Sequence, residues 1–302
     1  MLQSLLDAQA RGRARIDSRA RIRSQSIGPA DGLSVRVVTY NIHTCVGVDR
    51  RYDPGRVAAV LREIDADIAC LQEVDARRGG TGRHADQWAY LGEATGCRVI
   101  LGAAGVRDQC GRFGNAILTR FPVLTARSID LTVGGWEPRG AIDADLLFGD
   151  RVLRVIATHF GLRAAERRLQ ANRLVNALAG SLPPHRREAE AVLLMGDLNE
   201  WRGRSGAIRA FDRHLGPSAA ERTFPSWMPV LALDRIYADG PAVLRDVEVY
   251  RSPLARLASD HLPLVGSLCW DGHAAWRHER SRLARPRSRA ANDPAKARTR
   301  LS

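Results

Sequence analysis

The stretch "AVLLMGDLNEW" (191–201) constrains this chain more than any other. An apolar run, Val192 to Met195, is driven into Gly196 and then into a carboxylate, Asp197, and an amide, Asn199, two residues apart. A short unbroken apolar run bounded by a turn signal reads as a strand covered on both faces, the kind that lies between layers. The polar pair at its end has two readings. Asp and Asn both favour turns and helix caps. Residues two apart on an extended chain also point the same way, so the pair would open into one pocket.

The pattern recurs along the chain. Asn41 ends "VVTYN", Glu73 ends "IACLQE", and His159 ends "VIATH". Asp234 interrupts "LALDRIY", and Asp260 and His261 stand in "SDHLPL" before the last apolar run. A single strand-end Asp or His is usually a cap or a satisfied core group. A carboxylate inside an apolar strand is different, because it needs a partner once buried. α/β sheets collect their reacting groups at strand ends along one edge, so these residues are expected to converge. Glu73 and Asn41 offer hard oxygen ligands of the kind Mg²⁺ or Mn²⁺ takes. The sequence has no HExxH, no Cys/His cluster, no GxSxG elbow and no GxxxxGK[ST] loop, which removes the usual signatures of zinc, serine-hydrolase and nucleotide-loop chemistry. Metal-assisted hydrolysis of a phosphate ester is the class that remains.

Short strands and a few helices make up the rest. Strands are expected at 34–41, 67–74, 115–120, 141–148 and 151–160, over the opening apolar run 192–195, and at 231–238, 243–250 and 262–270. Gly149-Asp150 reads as a hairpin turn between two of them. "DPGRVAAVLREI" (53–64) opens with an Asp cap and Pro54 in its first turn, so it reads as a helix. "ADQWAYLGEAT" (85–95) is a second, with His84 and Asp86 at its start, and 163–180 is the longest, with Leu169, Leu174, Val175 and Leu178 assigned to one face. About ten strands with interspersed helices give two packed sheets covered by helices, a four-layer α/β/β/α sandwich.

Charge divides the chain. The formal net charge of the 302 residues is +13, of which residues 1–32 carry +3 and 271–302 carry +6, leaving +4 for the body. Lys296 is the sole lysine. The expected organisation is an Arg-rich arm (1–32), a catalytic domain (33–271) and an Arg-rich disordered tail (272–302). Such ends suit polyanions or an anionic membrane surface. The five cysteines are scattered and form no CxxC pair, which fits a reducing compartment. No apolar run reaches membrane-spanning length, and the N-terminus lacks the apolar core of a signal peptide. The expectation is a cytoplasmic protein able to sit peripherally on a membrane; the sequence leaves its oligomeric state open, a monomer included.

Taken in order, "TYNIH", "LQEV", "GNAILTRFPV", "THF", "GDLNEW", "LDRIY" and "SDHLPL" resemble the endonuclease/exonuclease/phosphatase superfamily, the DNase I-like fold, over about residues 34–270. The spelling is most similar to a bacterial branch linked to phospholipid metabolism or uncharacterised. The resemblance implies two mixed sheets face to face with helices outside, and a site at one rim. It implies Glu73 as principal metal ligand, with Asn41 and Asp260 beside it. Asp197 resembles the group that orients or deprotonates the attacking water, and Asn199 its phosphate-binding neighbour. His261 resembles the histidine on the scissile phosphate, held by Asp234, and His159 a leaving-group acid. Asn115 falls where the family places an asparagine near the phosphate, and Arg139 has two readings, a phosphate contact through its fork-like guanidinium and a solvated charge at a strand start. The implied activity is Mg²⁺- or Mn²⁺-dependent hydrolysis of a phosphate ester in a lipid, a small diester or a nucleic acid. His43 and Asp75, two residues beyond Asn41 and Glu73, are expected to face the same side, where a supporting role and a surface role are both open. Trp201, Phe224 and Trp227 fall on loops beside the motifs, where packing, base stacking and a lipid-facing rim are all open.

Overall fold

In the computed structural model the chain is described over residues 34–75, 86–103, 113–179 and 191–270. The two terminal arms expected from charge lie outside the described residues. The strands are β1 (Ser34–Asn41), β2 (Ile68–Asp75), β3 (Arg98–Ala103), β4 (Phe113–Thr119), β5 (Val123–Asp130), β6 (Gly140–Phe148), β7 (Arg151–His159), β8 (Ala191–Asp197), β9 (Asp234–Asp239), β10 (Ala242–Val249) and β11 (Leu264–Trp270). The helices are α1 (Pro54–Ile64), α2 (Gln87–Thr95), α3 (Ala164–Ala179), α4 (Gly206–Leu215) and α5 (Pro253–Ala258).

One sheet has the order β10-β11-β1-β2-β4-β3 and the other β5-β6-β7-β8-β9. Each is mixed, with β1–β2 and β7–β8 parallel and their other neighbours antiparallel. Alternation along β1 sends Val35 and Val37 into the layer between the sheets, while Val38 and Tyr40 meet α1 and α5 on the outside. On β8, Leu193 and Met195 face the other sheet and Leu194 packs under α3 and α4. Both faces are covered, which is why these strands read as unbroken apolar runs. The inter-sheet layer includes Ile68, Ile117, Ile142, Val155 and Ile236, each at most 1% exposed. Burying an aliphatic side chain of this size is worth about 1.5–3 kcal/mol, so this layer fixes the face-to-face pairing of the sheets.

The caps follow the sequence. The Asp53 carboxylate accepts from Arg56 N at the start of α1, and Asp86 accepts from Trp88 N and Ala89 N at the start of α2. Gly149 (φ +63°) turns the hairpin between β6 and β7. Two expectations change. Leu169 is 43% exposed and does not share the buried face of Leu174 and Val175 on α3. At 100° per residue it lies well round the helix from Leu174. β9 begins at Asp234 instead of at Leu231, so Asp234 opens the strand and does not interrupt it.

Candidate active site

The strand register brings the polar ends together. Across β7, β8 and β9, His159 is paired with Asp197 and Asp197 with Asp234. Three chemically active side chains thus form one row on one sheet edge. On the facing sheet Asn41 is paired with Gln72 at the parallel ends of β1 and β2. β2 then bulges: its register against β4 shifts between Leu71 and Val74, and Glu73 adopts φ +57°. A bulge re-aims a side chain at a strand end, and a non-glycine residue held at positive φ marks a site where structure overrides local preference. The Glu73 carboxylate is thereby brought within 3.1 Å of the Asn41 amide nitrogen.

Asp197 is the centre. Its Oδ2 accepts from Asn41 Nδ2 (3.1 Å) and lies 3.6 Å from both His159 Nε2 and His261 Nε2. Its Oδ1 accepts from Asn199 N at 2.8 Å. The opening motif therefore uses both of its readings. Asn199 leaves the strand with φ +49°, and the Asp197–Asn199 turn is what brings the amide into the site. Its Nδ2 donates to Phe160 O (2.8 Å) and faces His159 Nε2 (3.1 Å). Gly196 is required by the close approach of β7. A Cβ there would stand 1.9 Å from Thr158 O.

His261 is held from behind. Its Nδ1 is 2.9 Å from Asp234 Oδ2, which also accepts from the Thr223 hydroxyl. The Ser259 hydroxyl accepts from His261 N and donates to Asn41 O, linking the last loop to β1. Phe224 covers the imidazole, with ring centroids 4.9 Å apart. Burial opposes charge on His261, but the Asp234 and Asp197 carboxylates outweigh it, and the imidazole is pushed up to about 10. Burial pushes the Asp197 carboxyl up to about 6, against the pull of His261. His159 goes the other way. Burial, then the Arg139 guanidinium and His261, hold it well below the usual histidine range. Near neutrality the site holds a carboxylate between one charged and one neutral imidazole.

The residues present fit a hard divalent cation. Glu73 and Asp260 are carboxylates whose side chains keep 25% and 35% exposure beside an otherwise buried cluster. The Asn41 amide presents nitrogen to Glu73 and Asp197, and its oxygen accepts from His43 N. Asp197, Asp234 and His261 also bring potential ligand atoms within 4.8 Å of one another. That trio is the weaker candidate for the cation, because His261 Nδ1 and Asp234 Oδ2 are spent on each other. Glu73 with its partly exposed carboxylate is the stronger.

The expected residues separate into those that meet and those that stand apart. Asn41, Glu73, His159, Asp197, Asn199, Asp234 and His261 are joined by the contacts above. Asp260 is tied to the cluster through Ser259 and lies 3.9 Å from His43 Nδ1. Asn115 spends its amide nitrogen on Gly140 O (2.8 Å), leaving a buried Oδ1 without a hydrogen-bond partner. It offers a buried acceptor there. Arg139 is 6% exposed, bonds Glu137 at 2.9 Å, and faces His159 Nδ1 at 3.5 Å, on the ring edge away from Asp197. It stands behind His159, remote from Asp197. His43 lies beyond β1 in a turn in which His43, Thr44 and Cys45 all have positive φ, so strand alternation does not place it. Asp75 is buried past the bulge, its N bonded to Gln87. Sequence reasoning missed Gln87, whose fully buried amide joins Asp75 N to Thr44 O and clamps both metal-side loops. It also missed Thr223 and Ser259. Ser259 carried a signal inside "SDH"; Thr223 carried none.

Two mixed sheets face to face with helices outside, and carboxylates, amides and two histidines gathered at one rim, are the DNase I-like fold with its candidate site. The sequence profile of the Endonuclease/Exonuclease/phosphatase family matches residues 38–261, and the chain belongs to that family. It is 31% identical over 254 residues to the uncharacterized protein YbhP of Escherichia coli, covering 78% of this chain and 96% of that one. Solved structures agree on the fold. An endonuclease/exonuclease/phosphatase from Beutenbergia cavernae superposes with a TM-score of 0.60 at 23% identity, over 79% of this chain and 72% of that one. The human Nocturnin catalytic domain does so with a TM-score of 0.59 at 19% identity, over 80% and 97%.

Proposed function

We propose that this protein hydrolyses a phosphodiester by one in-line attack of water, assisted by Mg²⁺ or Mn²⁺. The observation that carries the reading is the approach of both imidazole Nε2 atoms to Asp197 Oδ2 at 3.6 Å. Glu73, Asp260 and Asn41 would hold the cation, which supplies charge neutralisation on a non-bridging phosphate oxygen. Asp197 orients the attacking water and takes its proton; a carboxyl pushed up to about 6 is a stronger base than an ordinary aspartate and is still ionised at neutral pH. His261, kept protonated by Asp234, donates to the oxygen on which charge builds. The resemblance implies that His159 is the leaving-group acid, but a neutral imidazole beside Arg139 is poorly suited to give a proton. The charged donor in this site is His261. His159 instead holds Asn199 and borders the nucleophile. Water is the nucleophile in this reading, and it includes no covalent enzyme intermediate.

The substrate assigned is a phospholipid or small diester. A nuclease is the alternative, favoured by the arginine-rich ends; sugar or inositol phosphates rank lower because the body carries no lysine. A panel with Mg²⁺ or Mn²⁺ tests the reading: bis-p-nitrophenyl phosphate, phospholipids, plasmid and abasic DNA, RNA and inositol phosphates. Turnover of the small diester and of lipid is expected. Cleavage of nucleic acid with no lipid turnover moves the assignment to a nuclease, and release of phosphate from monoesters alone overturns it.

A further inference from the structure

The loops that leave the site carry apolar side chains that they do not pack. Among the described residues, Leu162 is 73% exposed, Trp227 64%, Met228 52%, Trp201 50% and Val230 48%. Leu162 follows His159 by three residues, Trp201 follows Asn199 by two, and the other three lie on the 224–231 loop. These backbones are fixed. Arg167 donates to Leu162 O and Glu200 and lies under the Trp201 ring at 5.7 Å, tying the first two loops together. Ser226 N donates to Asp260 O at 2.7 Å, and Arg256 donates to Ser226 O and Trp227 O, tying the third to the loop that bears His261. Clamped main chain with solvent-facing apolar tips is the reverse of a packing loop. Scattered exposed apolar residues need no explanation, but several gathered round one site do.

On two of these three loops the exposed charges are of one sign, while beside the third Glu221 and Arg222 are both exposed. On the 160–163 and 200–205 loops the exposed charged residues are Arg163, Arg202 and Arg204, while Glu200 is buried on Arg167. Arg202 lies 5.7 Å from the Trp201 ring and Arg163 5.5 Å from Trp136. Tryptophan bodies and arginine heads suit the headgroup boundary of an anionic bilayer. Leu162, Met228 and Val230 decide between a lipid and a nucleic acid. Base recognition uses aromatic faces, whereas an aliphatic tip gains only by entering an apolar phase.

We infer that this rim is a docking surface for an anionic phospholipid bilayer, which seats the active site on diesters at the membrane surface. The inference deepens the lipid reading above and rests on it for what is cleaved, but not for what is bound. Its test therefore avoids catalysis. The full chain and a Trp227→Ala/Met228→Ala variant are sedimented in EDTA with vesicles of phosphatidylglycerol and phosphatidylcholine, and with phosphatidylcholine alone. Thermal melts confirm that the variant is folded. The full chain is expected to partition onto anionic vesicles, the variant to bind at least about tenfold more weakly, a loss of about 1.4 kcal/mol or more. Trp227→Phe should retain binding while losing part of the quenching of tryptophan fluorescence by brominated acyl chains. Equal binding by wild type and the double variant assigns the attraction to the arginine-rich ends and overturns the rim. So does a failure of the full chain to bind, or binding of single-stranded DNA but not vesicles through the same residues. Failure of diester hydrolysis with vesicle binding intact would overturn the enzymatic reading and leave this one standing.

Discussion

Replacing Asp234 by asparagine separates the charge of the Asp234–His261 pair from its geometry. The carboxylate is fully buried at the start of β9, with Oδ2 shared by His261 Nδ1 (2.9 Å) and the Thr223 hydroxyl and Oδ1 without a hydrogen-bond partner. An amide oxygen keeps both bonds and puts its NH₂ where Oδ1 now lies. What disappears is the largest of the carboxylate contributions that hold His261 at about 10; Asp197, 3.6 Å from Nε2, and then Asp260 are left to oppose burial. Each pH unit by which His261 falls corresponds to about 1.4 kcal/mol, and losing a positioned acid–base partner costs about 10²–10⁴-fold in rate. The folded variant should therefore lose roughly 10²-fold or more in kcat/KM, with its alkaline limb moved to lower pH by about a unit or more. Stability follows with a definite sign. His261 is raised in the folded state from 6.5 to about 10, so the pair's contribution is fully present below 6.5 and is lost as pH rises through about 10. The Tm deficit of the variant should be clear at pH 7 and narrow toward pH 10. Steady-state hydrolysis of bis-p-nitrophenyl phosphate from pH 5 to 10, beside calorimetric melts, measures both. A folded variant with a wild-type alkaline limb refutes the reasoning.

The wild-type rate should itself be bell-shaped. Its acid limb lies at or below about 6, the value for the free Asp197 carboxyl, because a bound cation lowers a neighbouring carboxylate; a limb above 7 would contradict Asp197 as the ionised base. Asp234→Ala and His261→Ala should cost similar amounts and the double variant little more, since the two act as a unit; additive losses in the same assay would say they are not paired. Gly196→Ala drives a methyl against Thr158 O and should destabilise by about 1–3 kcal/mol or more while lowering kcat, measured by urea unfolding and turnover; a neutral substitution would mean β7 and β8 are looser than described. A chain of residues 33–271 should keep its kcat on a small soluble diester and bind polyanions more weakly at low salt than the full chain; loss of turnover in a folded product would bring a terminal arm into the site.

Sequence made the central strands legible because they are buried on both faces, and their polar ends stood out against apolar runs. Asp197, His159 and Asp234 could be listed from that contrast alone, and register then put them in one row. One edge of each sheet was opaque. β5 is exposed along most of its length and carries no alternation, and β3 is a six-residue edge strand. The short helix α5 gave too few residues for a period. α4, with Ala207, Ile208, Ala210 and Phe211 buried, had a readable face that was overlooked. In the site, the strand-alternation argument reached the right place at Asn199 by the wrong route, since a turn delivers the amide. It does not apply at His43, which itself opens a run of three positive-φ residues, His43, Thr44 and Cys45. Gln87 could not be seen at all. It is a polar residue on a helix that a long-range contact turns into a buried clamp.

The central claim is that Glu73 serves the cation and His261 the phosphate, and a metal titration of three proteins tests it most directly. Wild type, Glu73→Gln and His261→Ala are stripped with EDTA and assayed on bis-p-nitrophenyl phosphate as Mg²⁺ or Mn²⁺ is returned. Wild type should be inactive without metal and recover fully. Glu73→Gln should need about tenfold more metal or beyond for half-maximal rate, a cost of about 1.4 kcal/mol or more. His261→Ala should show a depressed kcat at an unchanged metal requirement. Turnover that survives chelation, or a Glu73→Gln titration that overlays the wild type, would contradict the account.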